Sequence, residues 1–138
     1  MKIGIASDHA GFELKETVKG YLASKNLEVV DYGCDSGDRV EYPDYGHALA
    51  EGYSQEAFSL GIVICGSGNG INMAANKHAD IRSALCWKPE IASLARQHND
   101  ANVLALPARF IEPAVAMQCV DAFLNASFEG GRHETRVN

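Results

Sequence analysis

The apolar run Leu60–Cys65 passes directly into Gly66-Ser67-Gly68-Asn69-Gly70 and then into Ile71-Asn72-Met73-Ala74-Ala75-Asn76, a segment with helical character. An unbroken apolar run of this length reads as a strand buried on both faces, the condition of a central strand in a parallel sheet. A glycine-rich turn between such a strand and a helix aims several backbone N–H groups at one point, an arrangement that binds phosphates and other oxyanions. With a cysteine at its entrance, the turn points to chemistry rather than to plain nucleotide binding.

The same alternation continues on both sides of this unit. Lys2–Ala6 is expected as a strand, Ser7–Gly11 as a turn, and Phe12 to Ser24 as a helix with Phe12, Leu14 or Lys15, Val18, Tyr21 and Leu22 spaced for one buried face. Leu27–Asp31 reads as the second strand, Tyr32–Asp44 as a long polar loop, and Tyr45–Ser54 as a helix. After the glycine turn a helix reaches Lys77, and Ile81–Cys86 forms the fourth strand. Pro89 fits the first turn of a helix running to Gln97. Val103–Leu106 is the fifth strand, Pro113–Asn125 the last main helix, and Ala126–Asn138 a polar tail. This alternation predicts an α/β protein: a three-layer α/β/α sandwich with a five-stranded parallel sheet, Rossmann-like or flavodoxin-like, in one domain over 1–138. Ligands of such folds sit beyond the carboxyl ends of the strands. Ser7–Gly11, Cys65–Gly70 and Trp87-Lys88 all fall on that edge.

A chain of 138 residues that is 46% hydrophobic suits one compact core. A net charge of −6 argues against a broad nucleic-acid footprint. The opening residues read as a strand, so no signal peptide is expected, and no apolar segment is long enough to span a bilayer. Cys34, Cys65, Cys86 and Cys119 are far apart and none of the five histidines is spaced as a ligand set, so neither a disulfide framework nor a metal is expected. A reducing cytoplasm is the natural setting.

Spacing removes the common look-alikes of the turn. A dinucleotide fingerprint would need a glycine at position 71, and a thiol phosphatase loop an arginine there; the residue is Ile71. No G-x-x-x-x-G-K-[ST] run exists. What remains is glycine at every second position, which lets the backbone approach a ligand closely. The turn reads either as an oxyanion cradle or as a tight connection without a ligand. Cys65 reads either as a small buried hydrophobe or as a thiolate base favoured by the adjoining amides. Cys34, Cys86 and Cys119 are read as inert core residues. Asp8 binds a ligand or caps the first helix. The tail arginines, four residues apart at Arg132 and Arg136, share one face if the tail is helical and are otherwise solvated.

Five ordered motifs carry a resemblance. Ile5-Ala6-Ser7-Asp8-His9-Ala10-Gly11-Phe12, Tyr42-Pro43-Asp44-Tyr45, Cys65–Gly70 with Ala74-Ala75-Asn76-Lys77, Arg96–Val103, and Leu106-Pro107-Ala108-Arg109 with the tail arginines cover essentially the whole chain. Together they resemble the type B ribose-5-phosphate isomerases and their relatives that isomerise allose 6-phosphate and galactose 6-phosphate. The resemblance implies that Cys65 is the base working between C1 and C2. It implies that Ser67 helps move protons on the two oxygens, and that the amides of Gly66, Ser67, Gly68, Asn69 and Gly70 hold the enediolate. His98 would assist opening of the furanose ring. Asp8 and Asn99 would bind sugar hydroxyls, and His9, Arg109, Arg132 and Arg136 the phosphate. Tyr42 covers the site or is a packed aromatic. His98, Asn99 and the arginines would reach the turn from a neighbouring subunit, with the tail 126–138 packed on that neighbour. This implies a homodimer or tetramer. A related branch places a glutamate just after the glycine turn instead of the thiol; here that position is Ile71, so the burden of the base falls on Cys65.

The expectation is an aldose–ketose isomerase that needs no cofactor or metal, acting on a phosphorylated sugar, with no nucleic-acid or membrane partner. Ribose 5-phosphate is the first substrate, and a six-carbon sugar 6-phosphate the alternative. A reading of another class is a flavodoxin-like nucleotide-binding module without catalysis.

Overall fold

Alternation along each strand sorts the side chains into two cores. In the computed structural model, which describes residues 1–138, strands β1 (Lys2–Ser7), β2 (Glu28–Asp31), β3 (Leu60–Cys65), β4 (Ser83–Leu85) and β5 (Val103–Pro107) form one sheet in the order β2-β1-β3-β5-β4. Every pairing is parallel. The helices are α1 (Phe12–Ser24), α2 (Tyr42–Ser54), α3 (Asn69–Ala75), α4 (Pro89–Asn99), α5 (Pro113–Asn125) and the short α6 (Glu134–Val137). Ile3, Ile5, Ile62, Ile64, Leu104 and Leu106 face α1, α4 and α5, where Val18, Ala92 and Phe123 complete a buried layer. Ala6, Val63, Cys65, Val103 and Ala105 face α2 and α3, meeting Leu49, Ala50, Ile71 and Ala75. The chain is therefore the expected three-layer sandwich.

The strand order refines the expectation. A flavodoxin-like sheet runs 2-1-3-4-5, whereas here the last two strands exchange places and β4 becomes the edge. The switch point lies between β1 and β3: the crossover from β1 leads to β2 on one side, that from β3 to β4 on the other. The two loops diverge there and leave a crevice above the carboxyl ends.

Element boundaries differ where local chemistry permits it. Helix α2 starts at Tyr42, three residues before the expected Tyr45, because Pro43 occupies its first turn, where no N–H is needed. Helix α3 starts inside the glycine turn, at Asn69, and ends at Ala75. Strand β4 has three residues instead of the expected Ile81–Cys86, since it pairs only with β5. Its outward edge at Ser83 is closed by Asn76, whose amide donates to the Ser83 carbonyl at 2.9 Å and accepts from its N–H at 2.8 Å. An unpaired edge is thereby blunted. Helix α4 runs two residues past Gln97 and stops where Asp100 turns left-handed, at φ 49°.

A charge network pins the exit of β2. Lys15 has a side chain 1% exposed, and its Nζ lies 2.7 Å from Asp31 Oδ2 and 3.0 Å from Glu16. Lys19 shares both acceptors, at 2.7 and 3.2 Å. Asp31 Oδ1 also accepts from the Gly33 N–H at 2.8 Å. Burial alone pushes the Asp31 carboxyl up; the bonds from Lys15, Lys19 and the Gly33 N–H outweigh it and hold the group below the ordinary carboxylate value. Its stabilisation is complete above the unfolded pKa of about 3.9 and is lost as the pH falls through the lower folded value. Asp31→Asn is expected to lower stability at pH 7 by about 1–3 kcal/mol, because Lys15 keeps only Glu16 as a partner. Its acid-unfolding profile is expected to flatten below pH 4. Denaturant titrations at pH 7 and pH 3 check both, and equal midpoints for the two proteins at pH 7 would refute the role.

Candidate active site

The turn after β3 presents unpartnered donors beside a thiol. Cys65 ends β3, is 4% exposed, and points to the α2–α3 side with Val63. The N–H groups of Gly66, Ser67 and Gly68 have no hydrogen-bond partner within the chain. Gly68 stands at φ +78°, and a Cβ there would lie 2.5 Å from Leu85 Cδ1 and 3.2 Å from the Leu106 carbonyl. Both the backbone conformation and the space thus require glycine. Ser67 is exposed, and its Oγ accepts from the Asn69 N–H at 3.2 Å. The Tyr42 ring lies against Gly70, 2.5 Å from where a Cβ would stand, and is 38% exposed. Tyr42 is therefore packed against the end of the turn.

The loop after β1 forms the other wall. The Asp8 N–H donates to the Ile64 carbonyl at 3.2 Å, which ties this loop to β3. Asp8 is 7% exposed, and its Oδ1 accepts from the Gly11 N–H at 3.1 Å. It caps the short 3-10 turn His9–Gly11 rather than α1 itself, and Oδ2 has no partner in the chain. His9 Nδ1 lies 3.2 Å from both the N–H and the carbonyl of Val40, so the loop 32–41 holds the ring and leaves Nε2 free.

Arg109 follows β5, and its N–H donates to the Gly66 carbonyl at 2.9 Å. Its Nη1 comes 3.2 Å from the position a Gly66 Cβ would take. The expectation that all the arginines reach the turn from a neighbour is therefore corrected for Arg109, which lies on the turn of its own chain. Beside it a cavity of about 390 Å³ is lined by Ser67, Asn69, Leu85, Trp87, Pro107 and Phe110.

His98 and Asn99 are elsewhere. They end α4, which runs antiparallel to the strands, and so lie at the amino edge of the sheet. An 11-residue helix is about 16 Å long, which is the height separating them from the turn. The tail lies with them: the Glu129 N–H donates to the Gln97 carbonyl at 3.0 Å, and the His133 ring stacks on His98 at 4.2 Å and 14°. Arg132 and Arg136 stand exposed on this tail, Arg132 in the 3-10 turn Gly131–His133 and Arg136 in α6, so of the two conformations left open the tail takes the helical one.

One grouping was not legible in the sequence. Glu129 Oε1 lies 3.7 Å from His98 Nε2 and 3.6 Å from His133 Nε2. The three donor atoms fall within 4.8 Å of one another, although no spacing announces a ligand set. Parallel stacked rings direct their lone pairs side by side rather than at one ion, and Arg132 and Arg136 add positive charge. The trio suits proton sharing better than metal binding. Burial, then the neighbouring charges of His98 and Arg132, lower the His133 pKa, and Glu129 opposes them. The remaining cysteines behave as expected of core residues: burial pushes the thiol of Cys86 up to about 12 and that of Cys119 to about 11. Cys34 is buried, and its Sγ donates to the Ser36 carbonyl at 3.2 Å.

Known proteins are similar to this chain along its whole length. The family described as ribose/galactose isomerase matches residues 3–138. The chain belongs to that family. The ribose-5-phosphate isomerase B of Escherichia coli is 45% identical over 136 residues, covering 99% of this chain and 91% of that protein. A probable ribose-5-phosphate isomerase B of Mycoplasma pneumoniae is 50% identical, covering 98% and 90%. The crystal structure of a ribose 5-phosphate isomerase from Thermotoga maritima superposes with a TM-score of 0.97 at 50% identity, covering 99% of this chain and 94% of that one. Ribose-5-phosphate isomerase B of Mycoplasma genitalium, solved with bound ribulose-5-phosphate, superposes with a TM-score of 0.92 at 43% identity, covering 99% and 91%. The exchanged strand order is thus set in a fold these isomerases share.

Proposed function

We propose that this protein interconverts ribose 5-phosphate and ribulose 5-phosphate through an enediolate, with Cys65 as the base. The observation that carries the reading is a buried thiol beside three adjacent backbone donors that no group of the chain satisfies. Cys65 takes the proton from C2 of the open aldose and returns it to C1. The charge that builds on the two oxygens falls on the Gly66, Ser67 and Gly68 N–H groups, and Ser67 passes a proton between those oxygens. Losing one such preorganised donor typically costs about 2.7–4 kcal/mol in the barrier. Asp8, through its free Oδ2, accepts from a sugar hydroxyl, and His9 Nε2 and Arg109 face the phosphate. Tyr42, Asn69 and Gly70 close the wall around C1.

His98, Asn99, Arg132 and Arg136 stand a sheet's height away in their own chain, so we assign them to the site of a second copy. There His98 serves ring opening, Asn99 a hydroxyl, and the arginines the phosphate. A homodimer is the smallest assembly that completes two such sites. The pentose is favoured over a six-carbon 6-phosphate by the relatives named above, one of them holding ribulose-5-phosphate. Residues 1–138 act as one domain in this scheme. No helix is long and apolar enough to cross a membrane, and four free cysteines suit a reducing cytoplasm.

The test is kcat/KM for ribose 5-phosphate, allose 6-phosphate and galactose 6-phosphate side by side. Ribose 5-phosphate is expected to lead by about 10–200-fold, the discrimination one carbon allows. A lead for either hexose phosphate would move the assignment to it, and no turnover of any would overturn the reading. Arg132→Ala is expected to raise KM about 10-fold or more with a smaller change in kcat, as loss of a charged phosphate contact does. Steady-state kinetics with an unchanged KM would remove Arg132 from the phosphate site.

A further inference from the structure

Glu129 stands between two histidines that the fold stacks face to face. Its Oε1 faces Nε2 of both rings, at 3.7 Å from His98 and 3.6 Å from His133. The ring centroids are 4.2 Å apart and the planes 14° from parallel. His133 is buried, His98 half-buried and Glu129 exposed. The three move as one unit, because the Glu129 N–H is bonded to the Gln97 carbonyl next to His98. Wherever His98 acts, Glu129 and His133 therefore act beside it. Nδ1 of His98 has no partner in the chain and is open to a ligand.

Charge decides which ring holds a proton. Two imidazolium rings stacked this closely repel, so the pair holds one positive charge. Burial, then His98 and Arg132, disfavour that charge on His133, as Arg136 also does; Glu129 alone favours it. The nearest acid on α4, Asp100, is paired with Arg96 at 3.3 Å. The proton thus belongs on the more open ring, His98, with Glu129 as its counter-charge. Opening a ribofuranose breaks the bond between C1 and the ring oxygen O4. One proton leaves the C1 hydroxyl and one arrives at O4. An imidazolium that donates to O4 is left neutral, and the proton freed from the C1 hydroxyl recharges it. We infer, resting on the ring-opening role proposed above for His98, that Glu129 is the positioning residue for this step: it holds the charged ring by its Nε2 side and leaves the Nδ1–H to the sugar. A carboxylate that fixes one nitrogen of an imidazole sets what the other can do.

Erythrose 4-phosphate separates ring opening from the rest of the reaction. It has no free hydroxyl that could close a furanose, so its isomerisation needs Cys65 and the turn but not the charged His98. Glu129→Gln keeps the size of the side chain and the backbone bond to Gln97 while removing the charge. Its kcat/KM for ribose 5-phosphate is expected to fall about tenfold or more, while that for erythrose 4-phosphate stays within about twofold of the parent. Glu129→Asp keeps the charge and is expected to retain more of the ribose 5-phosphate activity than Glu129→Gln. Thermal unfolding is the control on the fold; should Glu129→Gln fail to fold, Glu129→Asp carries the comparison, with its smaller loss confined to ribose 5-phosphate. Should the parent not turn over erythrose 4-phosphate, exchange of the C1 protons of ribulose 5-phosphate in D2O takes its place. That ketose stays open because its C5 oxygen carries the phosphate, and its exchange must persist in Glu129→Gln. Unchanged turnover of ribose 5-phosphate by Glu129→Gln, or equal losses on the cyclic and the open sugars, overturns the role of Glu129 and leaves the isomerase reading standing. A parent that turns over neither sugar and exchanges no proton overturns the isomerase reading itself, and the role of Glu129 with it.

Discussion

Cys65→Ala is expected to lower kcat for ribose 5-phosphate by about 10²–10⁴-fold while KM stays near the parent value, the effect of deleting a general base. The reason lies in what surrounds the turn. Ile71 offers no carboxylate where the related branch has one. Asp8 is tied to the Gly11 N–H, and His9 is held against Val40 on the far wall. The other cysteines cannot replace Cys65, since Cys86 and Cys119 lie in the opposite core with thiols pushed up to about 12 and about 11. Alanine removes only the sulfur of a residue that is 4% exposed, so the fold survives with a small loss of packing. Single-turnover kinetics, with thermal unfolding as a control on the fold, make the measurement. A variant that keeps the parental kcat would take the base away from Cys65 and leave the turn amides as an oxyanion site without a thiol role.

Much of this site was legible because it is local. The β3 run and the Pro113–Asn125 helix each carry their signal within a few residues and stand where the sequence puts them, and the glycine turn follows β3 as expected but gives way to α3 already at Asn69. The start of α2 was missed because proline is both a loop signal and a good first-turn residue, and Pro43 serves as the latter. The exchange of β4 and β5 left no trace, since an apolar strand reads the same wherever it enters a sheet. The length of β4 was overstated because Ile81 is buried against the α2–α3 core rather than in the ladder. The meeting of His98 with Glu129 and His133 was beyond sequence patterning, because it depends on how the tail returns to the end of α4. Trp87 was placed on the ligand edge by its position after a strand, but only the fold sets Phe110 beside it.

Two nearly inactive variants are expected to restore activity to each other when mixed. Arg132→Ala/Arg136→Ala removes the two charged contacts proposed to hold the phosphate, and each such contact contributes about 1.5–3 kcal/mol. Its kcat/KM should therefore fall by at least about 10²-fold. Cys65→Ala retains both arginines. In a hybrid dimer one site pairs the mutated turn with the mutated tail. The other pairs an intact Cys65 with the intact arginines of its neighbour. Random re-association of equal amounts makes about half the dimers hybrid, so about a quarter of the parental activity returns. A site built within one chain predicts something else: every site in the mixture then carries one lesion, and the mixture shows only the mean of its two components. The geometry sets the two cases apart, because Arg132 and Arg136 ride on a tail fastened to the amino-edge end of α4 by the Glu129–Gln97 bond and the His98–His133 stack. To serve its own Cys65 that tail would have to break both contacts and cross about 16 Å of sheet edge, whereas in the proposed dimer the tail of the second copy serves that turn with both contacts intact.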